Sequence, residues 1–198
     1  KKEPVTCIIG GSKISTKISV IKNLIPKFEN LIIVGGMANN ILKYKGFNIG
    51  NSIYEKDCYS IIEEIFSLAK QNNCNVVFPL DVAVGKNLED TATIKDLSEI
   101  QDDDKILDIG PKTIKIIKSI LDNSKTVLWN GPAGYFENQN FAVGSKEILK
   151  KIIDLKNNIY SVAGGGDTIA LINNLNAFEK FNFVSTAGGA FLEYLEGK

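Results

Sequence analysis

The chain has 198 residues, of which 44% are hydrophobic and 23% charged, so it can bury a full core as one large domain or two small ones. Lysine plus arginine and aspartate plus glutamate both total 23, leaving a net charge of zero and no basic surplus to neutralise a nucleic-acid backbone or an anionic membrane. There is no histidine or arginine, which removes Ser-His-Asp and Cys-His catalysis, histidine-ligated metals and bidentate arginine clamps from this chain's own chemistry.

Read from the amino terminus, short Ile- and Val-rich runs alternate with helical apolar spacing, the signature of βα units and a mostly parallel sheet. The predicted strands are Val5-Ile9, Leu31-Val34, Val76-Phe78, Ile106-Asp108, Val127-Trp129, Ile159-Val162 and Phe183-Ser185. Predicted helices include those marked by Ile18-Ile21-Ile25, Ile61-Ile65-Leu68, Ile114-Ile117-Leu121 and Ile148-Ile152-Leu155. Strands of continuous hydrophobicity fit a sheet covered on both faces. The fold class expected is therefore α/β, a Rossmann-like three-layer sandwich with about six mostly parallel strands, built as a single domain over 1–198.

Between the third and fourth strands, Leu80 to Asp104 is irregular and predicts a small hairpin excursion. The closing Gln101-Asp102-Asp103-Asp104 run predicts a solvated turn rather than a metal site. Cys7, Cys58 and Cys74 lack CxxC spacing and read as reduced structural thiols. No run approaches the roughly 18 apolar residues of a membrane span, and the first residues are too polar for a signal peptide, so the expected compartment is the cytoplasm.

Chemistry is concentrated where strands end. Gly10-Gly11, Gly35-Gly36, Gly110-Pro111, Gly131-Pro132, Gly164-Gly165-Gly166 and Gly188-Gly189 mark six turns, and in a parallel sheet the carboxyl ends share one edge, where ligands bind. Glycine lets backbone approach a ligand closely, and helix N-termini beyond the turns present free N–H groups, which together suit a polyphosphate. Neither GxxxxGK[ST] nor GxGxxG occurs, which argues against a P-loop ATPase and a dinucleotide dehydrogenase. A helix beginning near Ser12 would carry Lys13 and Lys17 on one face beside such a phosphate. Asp167, before Thr168, is either a helix N-cap or a ligand for Mg²⁺, which takes one or two carboxylates plus phosphate oxygens. The run from Trp129 to Glu137 either lines a base, with Glu137 on a ribose, or is a rigid turn with packed aromatics.

Taken in order, Gly10-Gly11-Ser12-Lys13-Ile14-Ser15-Thr16-Lys17, Gly35-Gly36-Met37-Ala38, Trp129-Asn130-Gly131-Pro132, Gly164-Gly165-Gly166-Asp167-Thr168 and Ser185-Thr186-Ala187-Gly188-Gly189-Ala190 resemble the C-terminal domain of the phosphoglycerate kinases over essentially the whole chain. Gly46, Pro79-Leu80-Asp81 and Leu192-Glu193 fit as well. The resemblance implies binding of ADP or ATP with Mg²⁺, for phosphoryl transfer between 1,3-bisphosphoglycerate and ADP. By matching motifs it implies that Lys13 bridges the migrating group, Lys17 holds nucleotide phosphate and Asp167 takes the magnesium. Gly35, Gly36 and the wall near Leu107 accept adenine; Asn130, Pro132 and Gly134 line the nucleotide site with Gly11, Gly164, Gly165, Gly166 and Thr168. Glu137 bonds the ribose, and Gly188 and Gly189 face the migrating group.

Two positions depart from the family's usual pattern: Ala187 stands where glycine is usual, and Tyr135 where valine is common. The family's N-terminal domain, which presents 3-phosphoglycerate through Arg and His, has no counterpart here. The chain therefore reads as a monomeric isolated half that binds nucleotide with negligible turnover alone. A stand-alone nucleotide-sensing module is the alternative.

Overall fold

The computed structural model describes residues 2–187. Strands β1 (Val5–Ile9), β2 (Asn30–Ile33), β3 (Asn75–Val77), β7 (Thr126–Asn130), β8 (Tyr160–Gly164) and β9 (Phe183–Ser185) form one six-stranded sheet in the order β3-β2-β1-β7-β8-β9. Every pairing in it is parallel. Helices α1 (Ile18–Leu24), α2 (Gly36–Tyr44), α3 (Tyr59–Gln71), α4 (Pro111–Asp122), α5 (Val143–Asp154) and α6 (Gly166–Asn174) connect the strands.

Both faces of the sheet are covered, as the continuous apolar strands require. Alternation along β1 and β2 sends Cys7, Ile9, Leu31 and Ile33 into a core with Ile21 and Leu24 of α1 and with Ile62 and Ile65 of α3. The intervening residues Ile8 and Ile32 enter a second core, with Trp129, Ile117 of α4, Ile148 and Ile152 of α5 and Leu171 of α6. The α/β sandwich expected from the sequence is therefore the fold observed.

Three expectations are corrected. Ile106-Asp108 does not extend the parallel sheet: β6 (Lys105–Ile109) pairs antiparallel with β4 (Asp81–Gly85), and β4 pairs with β5 (Thr93–Asp96), in a separate three-stranded sheet. The predicted hairpin excursion is the β4-β5 hairpin of that sheet, which packs Val82 and Val84 against Leu42 and Ile49. The glycine turn after β6 consequently leaves the parallel edge. Gly110 instead precedes α4, whose first turn is capped by the buried Asp81 carboxylate accepting from Lys112 N and Thr113 N, both at 2.9 Å.

The acidic run is also only partly solvated. Asp102 and Asp103 are exposed, but Asp104 is buried and paired at 2.7 Å with both Lys86 and Lys95, and its carboxyl falls to about 2. Burial opposes that shift, and the two lysine hydrogen bonds with the Gln101 amide outweigh it. Finally, no helix begins at Ser12: residues 12–17 form a turn and α1 starts at Ile18, so Lys13 and Lys17 do not share a helical face.

The topology fixes where a ligand can sit. From β1 the chain moves outward through β2 to β3, and from β7 it moves the opposite way through β8 to β9. The carboxyl ends of β1 and β7 therefore flank the switch point of an open α/β sheet, the crevice such folds use for ligands.

Candidate functional site

At the switch point the two strand ends touch. Ile9 pairs with Asn130, and Gly10 N donates to Asn130 O at 2.8 Å. The turns then cross so closely that a Cβ on Gly10 would lie 2.2 Å from Pro132 O, and one on Gly131, at φ 103°, would lie 2.3 Å from Gly10 O. Both positions therefore need glycine, for close approach and, at Gly131, for the left-handed backbone as well.

Around this crossing the polar side chains form a closed network. Asn130 donates through Nδ2 to Gly164 O at 3.0 Å and accepts at Oδ1 from Lys17 Nζ at 2.8 Å. Gly131 N donates to Thr168 Oγ1 at 2.7 Å. Lys17 also donates to Gly10 O, folding over Gly11 so that its Nζ sits 3.1 Å from where a Cβ there would be. Burial pushes the Lys17 ammonium down to about 8, against the opposing influence of Cys7 and Asp167. It is a cation held at the strand crossing, still largely charged at neutral pH but losing its proton just above it.

Beside the network opens a cavity of about 440 Å³. It gathers the predicted residues Gly11, Gly35, Gly36, Leu107, Pro132, Gly134, Glu137 and Asp167 into one wall, from five separate stretches of sequence. Gly35, at φ 69°, is the residue before α2 and lies within 3.0 Å of Gly11 N when given a Cβ, and Met37 N donates to Gly11 O at 2.8 Å. At the other end, Tyr135 N donates to Leu107 O at 2.7 Å, and a Cβ on Gly134 would strike that same oxygen at 2.3 Å. The small sheet thus supplies one wall and the parallel sheet the other.

Asp167 lies in the first turn of α6 with Gly165 as the N-cap, so it is not the cap itself. Exposed on the cavity wall, its carboxylate makes no hydrogen bond or ion pair with another described residue. Among the described residues no group of three acidic, Cys or His side chains forms a metal cage. An exposed carboxylate at the start of a helix on the cavity lining fits the one-or-two-carboxylate donor set that magnesium takes when the rest of its ligands come from phosphate oxygens and water.

The remaining predicted residues fall outside the cavity wall. Asn130, Gly164, Gly165 and Thr168 belong to the network behind it, where a Cβ on Gly165 would lie 2.9 Å from Asn130 Nδ2. Gly166, first residue of α6, faces open space. Lys13 is exposed on its turn, away from the wall. That turn is anchored by Glu55, whose carboxylate accepts from Ser15 N at 3.1 Å and from Ser15 Oγ, while Asn40 of α2 clasps the Glu55 backbone through Nδ2 to its O at 2.6 Å and from its N at 3.1 Å. Gly188 and Gly189 lie outside the described residues.

Asn39, Ile53, Leu88 and Asp108 are among the cavity residues that sequence reasoning did not assign to a site. Ile53 is 62% exposed and Leu88 38%, an apolar pair at the mouth. Asp108 is buried and accepts from Ile109 N at 2.8 Å and from Gly144 N of α5 at 2.9 Å; burial lifts its carboxyl to about 7 in spite of those two donors. The three thiols are buried and free, as expected of structural cysteines.

Known proteins share this fold. The sequence model described as Phosphoglycerate kinase matches residues 1–198. The chain belongs to the phosphoglycerate kinase family. It is 48% identical to the phosphoglycerate kinase of Francisella philomiragia over 199 aligned residues, covering all of this chain and 50% of that one. It is 44% identical to that of Legionella pneumophila with the same coverage. The solved phosphoglycerate kinase from Coxiella burnetii superposes with a TM-score of 0.95 at 38% identity, over 100% of this chain and 51% of that one. The one from Pyrococcus horikoshii superposes with a TM-score of 0.80 at 26% identity, over 100% and 50%. The chain spans about half the length of the phosphoglycerate kinases it matches.

Proposed function

We propose that the chain is the nucleotide-binding half of a phosphoglycerate kinase, taking ADP or ATP with magnesium in the cavity at the β1/β7 switch point. The observation that carries this reading is the convergence of Gly11, Gly35, Gly36, Leu107, Gly134, Glu137 and Asp167 on one 440 Å³ space. Its dimensions lie in the range of small-molecule sites. Membership of the family supplies the reaction.

In that reaction the bond between phosphorus and the carboxyl oxygen of 1,3-bisphosphoglycerate breaks while a terminal oxygen of ADP bonds the phosphorus. The products are ATP and the carboxylate of 3-phosphoglycerate. Such transfer depends on positioning and charge neutralisation. The flat glycine backbone at Gly35 and Gly36 and the apolar Leu107 wall hold the base, and Glu137 accepts from ribose hydroxyls. Lys17 and the turn amides meet the phosphates. Asp167 holds the magnesium, which when bound offsets phosphate charge. Lys13, on its Glu55-anchored turn, reaches toward the migrating group from the exposed side, where the second substrate must arrive from a further domain.

This division predicts nucleotide binding without turnover. Calorimetric titration of the 198-residue chain with ADP, with and without Mg²⁺, is the direct test. Absence of heat or thermal shift at millimolar nucleotide rejects the assignment. Turnover on adding a separately expressed N-terminal phosphoglycerate kinase domain supports it, whereas tight ADP binding without any such recovery favours a sensing module.

A further inference from the structure

Within the cavity lining one buried side-chain oxygen has no hydrogen-bond partner among the described residues. Asn39, on the third residue after the Gly36 start of α2, is 1% exposed, and its Oδ1 is the buried side-chain oxygen left without a hydrogen bond among the described residues. The amide cannot be satisfied by turning over, because Nδ2 already donates to Ile53 O at 2.9 Å. That bond fixes the group: nitrogen toward the Ile53 carbonyl, and the buried oxygen left as the free acceptor of a residue that lines the cavity. A buried acceptor without a donor is costly to the empty protein, and a ligand that brings an N–H or O–H recovers that cost on binding.

On the reading that the cavity takes a nucleoside diphosphate, we infer that Asn39 is the residue that reads the base, accepting a hydrogen bond from the exocyclic amino group of adenine. The choice follows from which parts of the ligand can donate. The phosphates are acceptors and would be repelled by a free carbonyl oxygen. The ribose hydroxyls have the exposed Glu137 carboxylate available at the lip. The remaining strong donor of ADP is its amino group. The surroundings suit a base as well: Gly36 precedes Asn39 on the same helix, and the apolar side chains of Ile53 and Leu107 share the wall. Ile53 Cδ1 lies only 2.8 Å from where a Cβ on Gly36 would stand, so this exposed side chain lies over the glycine, where a ring would have to displace it to reach the amide.

An oxygen at purine position 6 reverses the interaction, placing acceptor against acceptor, and a hydrogen at that position leaves Oδ1 as unsatisfied as in the empty protein. The test is a ligand series on the unaltered chain, in which ADP, inosine diphosphate and purine riboside diphosphate are titrated by calorimetry with Mg²⁺. ADP is expected to bind about tenfold more tightly than either analogue. In Asn39→Leu the three affinities are expected to agree within about twofold. Equal binding of the three ligands by the unaltered chain overturns the assignment of Asn39 while leaving the nucleotide site intact. Preservation of the full preference in a folded Asn39→Leu also overturns it. Failure of every nucleoside diphosphate to bind removes the nucleotide reading itself and Asn39 with it. If the variant does not fold, the ligand series on the unaltered chain decides alone.

Discussion

Nucleotide binding should be linked to protonation of Lys17, and the size of the effect follows from its burial. In the unliganded chain the ammonium, bonded among the described residues to Gly10 O and Asn130 Oδ1, is pushed down to about 8 by burial. Phosphate oxygens arriving beside it favour the charged form and return it toward its ordinary value of 10.5. The bound state then holds a proton that the free state releases above pH 8, so binding takes up about half a proton at pH 8 and affinity for ADP falls about tenfold between pH 7 and pH 9. Calorimetry in two buffers of different ionisation enthalpy measures the uptake directly, and Lys17→Gln should abolish both the uptake and the slope. A flat affinity over that range in the unaltered chain, or an unchanged slope in Lys17→Gln, refutes the reasoning. Stability runs the other way in the absence of ligand. Because the folded pKa is depressed, the unfolded chain binds more protons between about 8 and 10.5, and Lys17's contribution makes the folded state more stable as pH rises through that window.

Asp108 supplies the complementary case. Its folded carboxyl is raised from 3.8 to about 7, so the native state binds the extra proton and stability should decline as pH rises from about 4 to 7; Asp108→Asn should flatten that part of a urea-midpoint profile, and an unaltered profile removes the buried carboxyl as its cause. Gly131→Ala combines a φ of 103° with a 2.3 Å approach to backbone that cannot yield, and should cost about 3 kcal/mol or more in urea unfolding; a loss below about 0.5 kcal/mol would mean the turns can separate. Ser15→Ala and Glu55→Ala should each lower turnover of a complete two-domain enzyme about tenfold while leaving ADP affinity unchanged, because they loosen the Lys13 turn without touching the cavity wall. A matching loss of affinity would return Glu55 to a general structural role.

How far the sequence revealed these features depended on the range of the interactions involved. β1, β2, β7 and β8 are apolar runs ended by glycine, a local signal, and the structure kept all four in one parallel sheet. Ile106-Asp108 carries the same local signal, yet its partner is decided by the distant Ala83 and Val84 of β4, and nothing in its own composition distinguishes an antiparallel from a parallel neighbour. Lys13 and Lys17 show helical spacing, but Ser15 gives both its N–H and its hydroxyl to Glu55, 40 residues away, and that competition holds the segment as a turn. The glycines of the site were visible because close approach demands glycine. Asn39, Ile53 and Leu88 were not, since an amide or an aliphatic side chain acquires its role there only from what folds against it.

The cavity's two walls come from different parts of the chain. One side is backbone at the ends of the parallel sheet's strands, locked at Gly10 and Gly131 by contacts that admit no larger residue. Leu107 and Leu88, on the opposite side, belong to an excursion between β3 and β7 that has its own small sheet and its own apolar cluster around Val82. The cavity is thus a seam between two sheets, and a change in how the excursion sits against the crossing alters its width without altering the crossing itself.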